Sequence, residues 1–354
     1  TAIAGKWHLG GKFEWGPRRY GFDESYGFLT GAVDPWTHKY RKGDLEETWN
    51  RNDVLVKEEG NATELIAAEA ERLIRAQRGP WFVYVPFGAV HIPIDAPKEH
   101  FQAYDGVRFS PDPAKDDSVR RYAAFVTQLD AKVGQLVDAL KATGQLENTL
   151  IIFTSDNGGI EGGGNPYVGT TKGSPAVTTN APLRGWKNQP YEGGMRVPFI
   201  AAWAKPATAN ANQTRLPILA GAIQSQQAAV MDLFPTILGV TGTTVPRGHP
   251  VDGARLDNLL AGRRDPQRAE AFLMHYPHAP HRSDYWTSYR DGAWKVVYHY
   301  FPSAASENSH YQLYHLGRDP FEQINLAATE PAELRRLMTG LIASLEKHSA
   351  VYPV

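Results

Sequence analysis

Cysteine is absent from the 354 residues of this chain. Disulfides, zinc–thiolate sites, iron–sulfur clusters and thiol nucleophiles are thereby excluded within them. A protein without thiols is indifferent to redox conditions, so the absence leaves its compartment open. Charge of one sign is also missing: 37 Lys and Arg stand against 38 Asp and Glu, a formal charge of −1. Such a balance gives no general attraction to nucleic acid or to an anionic membrane, and any anion site has to be local. Long hydrophobic runs are lacking as well. The longest, Trp81 to Ile94, is broken by Pro86, His91 and Pro93 and falls short of the roughly 20 residues of a membrane-spanning helix. No Gly-x-Ser-x-Gly elbow occurs, which removes the simplest sign of a serine esterase.

What is present suits a folded protein. Hydrophobic residues make up 42% and charged residues 21%, so disorder and collagen-like architectures are out. The length suggests two domains. The 9 Trp, 16 Tyr and 14 Phe would furnish an aromatic-lined or carbohydrate-facing cleft.

Three short apolar runs, Trp81–Pro86, Leu150–Phe153 and Val197–Trp203, read as strands buried on both faces, the pattern of a parallel sheet covered by helices. Helical patterns separate them. Leu65, Ile66, Ala70, Leu73 and Ile74 share one face behind a cap-like Asn61-Ala62-Thr63-Glu64. Val119, Tyr122, Val126, Leu129, Val133, Leu136, Val137 and Leu140 keep steps of three and four until Gly144. The alternation predicts an α/β domain over residues 1–262. From 263 the texture changes. Trp286–Tyr289, the turn-prone Arg290-Asp291-Gly292 and Trp294–Tyr300 predict a hairpin, and Tyr311–Leu316 can add a strand. A helix follows from about Pro331, with Leu334, Leu337, Leu341, Ile342 and Leu345 on one face. Residues 263–354 therefore read as a small antiparallel α+β domain, with Val245 to Asp265 as the connection.

Four segments can carry chemistry. Gly5-Lys6-Trp7-His8-Leu9-Gly10 sets an ammonium and an imidazole two apart, on one side of an extended chain, able to hold an anion and move a proton. A strand with two exposed polar residues is the plainer alternative. Thr154-Ser155-Asp156-Asn157-Gly158-Gly159 follows a strand, where ligands bind in open α/β sheets. Its carboxylate and amide carbonyl are hard oxygen donors of the kind Ca²⁺ or Mg²⁺ takes, although Ca²⁺ wants 6 to 8 of them; an ordinary Asp-Asn-Gly turn competes. His91 stands in the same relation to its own strand, against the alternative of a structural histidine. Finally, Pro182-Leu183-Arg184-Gly185-Trp186-Lys187, with Tyr191-Glu192-Gly193-Gly194-Met195-Arg196, gathers cations and glycines into a local anion-binding loop or a solvated charged one.

In order, spacing and flanking strands these segments resemble the sulfatase family of the alkaline phosphatase superfamily, and within it the arylsulfatase B (N-acetylgalactosamine-4-sulfatase) branch. Thr1–Gly10 is similar to the family's second signature, Leu150–Gly159 to its metal-binding strand end and Leu183–Pro198 to its sulfate-binding loop. Asp232–Leu238 resembles a family helix, and Arg290–Lys295 and Tyr314–Pro320 its C-terminal domain. The resemblance implies a large, mostly parallel mixed sheet sandwiched by helices, with a smaller C-terminal antiparallel domain. It implies that Asp156 and Asn157 ligate a divalent cation, usually Ca²⁺ with Mg²⁺ as the variant. Lys6 and His8 would contact the nucleophile; His91 and Lys187 would hold sulfate oxygens and assist the leaving group. Arg184, His275, His278 and Trp286 would border the substrate, with His281 beside them and the Gly-rich loop Glu161–Thr179 as a rim. Members generate a formylglycine from Cys or Ser in a Cys/Ser-x-Pro-x-Arg motif, and use a pair of aspartates, both upstream of Gly-Lys-Trp-His. Neither occurs here, so the resemblance maps the chain onto the later part of a member.

The resulting expectation is a sulfuric ester hydrolase acting on an aryl or carbohydrate sulfate, periplasmic or secreted as the family is, with neither nucleic acid nor membrane as partner. Two rivals stand beside it. A phosphodiesterase or phosphonate hydrolase of the same superfamily would use the same cationic pocket. A sulfatase-like module without turnover, binding anionic sugars, would account for the missing nucleophile motif. Asn61-Ala62-Thr63 and Asn212-Gln213-Thr214 are glycosylation sequons.

Overall fold

A computed structural model describes residues 1–353 except 42, 161–176, 279–283 and 303–308. They form two compact units, one built on Thr1–Thr149 and the other on Leu150–Glu161 and Thr178–Val354. No helix among the described residues is long and apolar enough to cross a membrane.

In the first unit, strands β1 (Ala2–Lys6), β2 (Glu24–Phe28), β3 (Trp49–Arg51), β4 (Val54–Leu55) and β5 (Val83–Tyr84) form one sheet in the order β4-β3-β2-β1-β5. Around β1 the sheet is parallel, since β2 and β5 both run its way; β3 and β4 turn it antiparallel. The strands approach closely because glycine permits it. A Cβ on Gly5 would sit 2.1 Å from the Pro86 carbonyl oxygen, and Gly5 has φ +137°. Helix α1 (Ala62–Ala76) is capped by Asn61, whose side chain accepts the Thr63 amide. Its predicted stripe is the buried one: Ile66, Ala70 and Leu73 pack on Ala2, Ala4, Tyr26, Phe28 and Trp49. Helix α2 (Pro113–Ala142) meets α1 through polar contacts, Gln128 donating to Asn61 and Glu64 and Gln135 to Glu71. Its stripe is less buried than the periodicity predicts, with Val126 exposed.

The run Trp81–Pro86 departs from expectation. Only Val83–Tyr84 is strand, and Phe82 and Tyr84 are exposed. Among the described residues β5 is an edge strand with β1 as its one partner, so an apolar sequence alone does not bury it.

In the second unit, β6 (Leu150–Thr154) and β7 (Phe199–Trp203) pair antiparallel, Leu150 opposite Trp203. The expectation of parallel strands buried on both faces fails twice: the pair is antiparallel, and Phe153, Phe199 and Ile200 are exposed, because apolar composition carries no information on strand direction or on how many neighbours cover a strand. Helices α3 (Glu192–Met195), α4 (Ala211–Arg215), α5 (Leu233–Thr241) and α6 (Asp257–Leu260) precede or follow β7 as short pieces. Past the change of texture near 262 lies a four-stranded antiparallel sheet. It comprises β8 (Ala271–Tyr276), β9 (Trp286–Asp291), β10 (Trp294–His299) and β11 (Tyr311–His315), ordered β11-β10-β9-β8. The hairpin turns where the sequence predicts, with Gly292 at φ +59°. On one face, Tyr289, Val296 and Leu313 pack on Leu337, Leu341 and Leu345 of α7 (Pro331–Lys347). Ile342, predicted on that face, is exposed.

Candidate active site

The first unit presents its candidates at one edge of the sheet. Because β2, β1 and β5 are parallel neighbours, the residues after their carboxyl ends emerge together. Lys6 closes β1, its amide donating to Pro86 O at 2.8 Å. The extended geometry assumed for Lys6 and His8 stops there. His8 has φ +59°, its amide donates to Leu29 O at 3.0 Å, and the chain turns out of the sheet. The ring then lies against Gly31, where a Cβ would meet Nε2 at 2.5 Å. His91 follows β5, half-buried, with its amide on Gly88 O. Its Nδ1 is 2.8 Å from the Ile92 carbonyl. A carbonyl can only accept, so Nδ1 carries a proton.

The second unit brings the donor pair and the cationic loop together. Asp156 and Asn157 follow the carboxyl end of β6; Asp156 is exposed and Asn157 half-buried. The Asn157 amide nitrogen donates to Gly158 O at 3.0 Å, leaving its carbonyl oxygen for another partner. From here the backbone is stitched to the loop. Gly158 N donates to Gly194 O at 3.0 Å and Lys187 N to Gly159 O at 3.1 Å. Asn180 clamps the same place, accepting from Gly159 N and donating to the carbonyls of Gly159 and Gly185. A Cβ at Gly158 would lie 1.8 Å from Gly193 O, so the crossing requires glycine. Lys187 is thereby held beside the strand end that carries both oxygen donors.

The residues expected to border the substrate are engaged inside the unit. Arg184 donates to Tyr314 Oη at 2.9 Å and Glu322 O at 2.8 Å, and lies over the Tyr191 ring at 4.1 Å. His275 has Nδ1 on Thr287 and Nε2 on Val351 O. Trp286 is 3% exposed, stacks on Tyr276 and donates to Asn188 O. These geometries give them internal partners, because the sheet and the loop must satisfy their own polar atoms where water is excluded. His278 is exposed, its ring edge-on to Tyr276. His281 and most of the Gly-rich loop Glu161–Thr179 lie outside the described residues. The sequon at Asn61 is 2% exposed and spent on capping α1.

Sequence reasoning passed over Glu192, Lys295 and Glu322, which are buried together behind the loop. The one signal was a Lys alternating with Val297 and His299 along β10, on the face away from α7.

The chain matches the family model described as Sulfatase over residues 1–243. It is 28% identical to human N-acetylgalactosamine-6-sulfatase over 98% of this chain and 65% of that protein, and so spans just under two thirds of its length. A protein named Sulfatase from Formosa agariphila is 30% identical over 72% of this chain and 43% of its own. Among solved structures, Ps i-CgsB in complex with k-i-k-neocarrahexaose superposes with a TM-score of 0.77 at 26% identity, covering 99% of this chain and 71% of that one. A protein solved with its substrate D-glucosamine-2-N,6-O-disulfate shares the fold, with a TM-score of 0.71 at 18% identity over 98% of this chain and 79% of its own.

Proposed function

Since the chain belongs to the sulfatase family, we propose that it serves as the greater part of a sulfuric ester hydrolase acting on a carbohydrate or aryl sulfate. The observation that carries this reading is the hydrogen bond from Lys187 N to Gly159 O. It ties the Lys187 backbone to the strand end that carries Asp156 and Asn157; an ammonium, a carboxylate and an amide oxygen drawn on one sulfuryl group would stabilise the charge that spreads over its equatorial oxygens. Relatives named for N-acetylgalactosamine-6-sulfate chemistry and a neighbour solved with a neocarrahexaose favour a sulfated sugar.

Asp156 and Asn157 fit a hard divalent cation in kind, Ca²⁺ or Mg²⁺, as oxygen donors at a strand end. They fill only part of a shell of 6 to 8, and among the described residues no group of three or more His, Asp or Glu is arranged to hold a metal. When bound, such a cation withdraws charge from a sulfate oxygen. Formylglycine has no precursor among these residues, which leaves the remaining roles to the chain's own groups. Lys6 and His8 would contact the nucleophile, and His8 would accept its proton. By the family resemblance, His91 in the first unit, with Nδ1 on Ile92 O, and Lys187 in the second are each assigned to sulfate oxygens and the departing oxygen.

Release of sulfate against phosphate from matched phenyl esters and from sulfated galactosamine, with a segment that carries the nucleophile and its aspartates supplied, tests the reading. Sulfate turnover that falls at least about tenfold in Lys187→Ala supports it, a loss in line with one charge-assisted contact. Faster hydrolysis of the phosphate ester would replace it with the phosphoester alternative. Calorimetry gives the metal its own test: this chain should bind Ca²⁺ weakly, because one carboxylate offsets little of the dehydration cost, and Asp156→Ala should abolish what binding there is.

A further inference from the structure

The two faces of the C-terminal sheet are buried by opposite chemistry. One is apolar and takes α7. The other turns Trp286 and Ser288 of β9, Lys295 of β10 and Gln312 and Tyr314 of β11 toward the segment Arg184–Met195. A buried polar face is costly unless every group is paired, and here the pairing is dense. Lys295, 1% exposed, has Nζ 3.0 Å from Glu192 Oε1 and 2.8 Å from Glu322 Oε1. Glu322, fully buried, accepts the Glu192 amide on its other oxygen at 2.7 Å. Tyr191 and Tyr314 both donate to Gln312 Oε1, and Asn188 donates to Tyr276 Oη. The bonds fall on residues 184, 188, 191 and 192, on both sides of Lys187.

We propose that Lys295 is a positioning residue: through Glu192 and Glu322 it fixes the loop that carries Lys187 against the Asp156–Asn157 strand end. This rests on the sulfate-binding reading of Lys187. The geometry gives a reason for an ionic mount. An apolar contact tolerates sliding, whereas two carboxylates sharing one ammonium, one of them also accepting a backbone N–H, fix a single register. Lys187 follows Arg184 by three residues, and Arg184 is tied to the same cluster through the Glu322 carbonyl. A shift of the mount is therefore a shift of the ammonium.

The experiment titrates inorganic sulfate into the chain, follows affinity, and measures hydrogen exchange at the Lys187 and Gly158 amides, which the stitched backbone protects. In Lys295→Met, with Lys187 still present, sulfate affinity should fall about tenfold and both amides should exchange at least about tenfold faster, while α1 amides keep their rates. Lys295→Arg should recover most of the affinity by restoring the charge. Lys187→Ala separates the two ideas, since its affinity reports on the sulfate site alone. Unchanged affinity there with faster exchange in Lys295→Met would discard the sulfate reading and keep the mount. A folded Lys295→Met with wild-type affinity and wild-type exchange at Lys187 overturns the proposal. If Lys295→Met does not fold, Tyr314→Phe removes only the hydroxyl between Arg184 and Gln312; it should speed Lys187 exchange about threefold, and no change would overturn the proposal equally.

Discussion

The two units hold their candidate residues by different physics. In the first, Lys6, His8 and His91 hang from the carboxyl edge of a sheet whose opposite concern is an apolar helix: Ile66, Ala70 and Leu73 against Ala4, Phe28 and Trp49. In the second, Lys187 sits in a loop whose backing is ionic, Lys295 between Glu192 and Glu322. Apolar packing is non-directional and gives stability roughly in proportion to area. A buried ion cluster gives little net stability but penalises every arrangement that leaves a charge alone. The contrast teaches that one chain uses burial for strength in one place and for register in another.

Glycine is where the two units agree, and substitution there should have the largest effect. Gly5→Ala would drive a methyl into Pro86 O, and Gly158→Ala one into Gly193 O. Neither neighbour is a flexible side chain, so backbone has to move. Each change should cost on the order of 4 kcal/mol, by overpacking in both and added φ strain at Gly5. Denaturant unfolding of both variants checks it; a loss below about 1 kcal/mol at either would show that the strands can part cheaply.

The next test separates the two kinds of burial by pH. Leu73→Ala should lose about 2–5 kcal/mol through a cavity, equally at all pH. Lys295→Met should lose about 3–5 kcal/mol at neutral pH, because two buried carboxylates are left without a cation. Burial already pushes Glu322 up, with Glu192 beside it adding repulsion and Lys295 opposing. Burial also pushes Glu192 up, but Lys295 outweighs it and holds Glu192 below its ordinary value. With Lys295 gone both carboxyls rise. A group whose folded pKa is raised contributes stability below its unfolded value and loses it as pH climbs through the folded one. Lys295→Met should thus recover stability relative to wild type on acidification from about pH 7.5 to about pH 5. The first unit gives the opposite sign. Burial raises Glu69, but Arg72 and Arg51 outweigh it and the net shift is downward. That stability is present above the ordinary carboxylate value and is lost as pH falls below it, so Glu69→Gln should flatten the acid limb of the melting-temperature profile. A pH-independent deficit in Lys295→Met would erase the distinction.

What the sequence disclosed follows the same line. Helix α1, the β9–β10 hairpin and α7 were legible because local periodicity encodes an apolar face, and Asn61 and Gly292 mark where elements start and turn. Strand β8 was not, since Ala271-Phe-Leu-Met-His-Tyr276 alternates too weakly to show a face. The direction of β6 and β7 was invisible because partner choice is not local. Residue chemistry and then the family resemblance singled out Lys187 and the Asp156–Asn157 pair as candidates. The mount behind them stayed hidden, since Lys295 and Glu192 lie 103 residues apart and a Lys in a strand reads as solvated. Arg184, His275 and Trp286 are expected at the substrate for a related reason: polar and aromatic side chains look like binding groups until their internal partners are known.

The smallest expected effect compares two asparagines that cap helices, one in each unit. Asn61 caps α1 through Thr63 N and also accepts from Gln128, so it joins two helices where water is excluded. Asn210 caps the five-residue α4 through Asn212 N and Gln213 N. Loss of a cap costs about 1 kcal/mol, and stranding a buried donor such as the Gln128 amide adds to it. Asn61→Ala should therefore lose about 1–2 kcal/mol, and Asn210→Ala about 0.5 kcal/mol, because a one-turn helix adds little to the fold. Urea midpoints on the two variants decide between them. Equal losses would mean that α1 is held by its apolar stripe alone, and that the polar join to α2 adds nothing to the first unit.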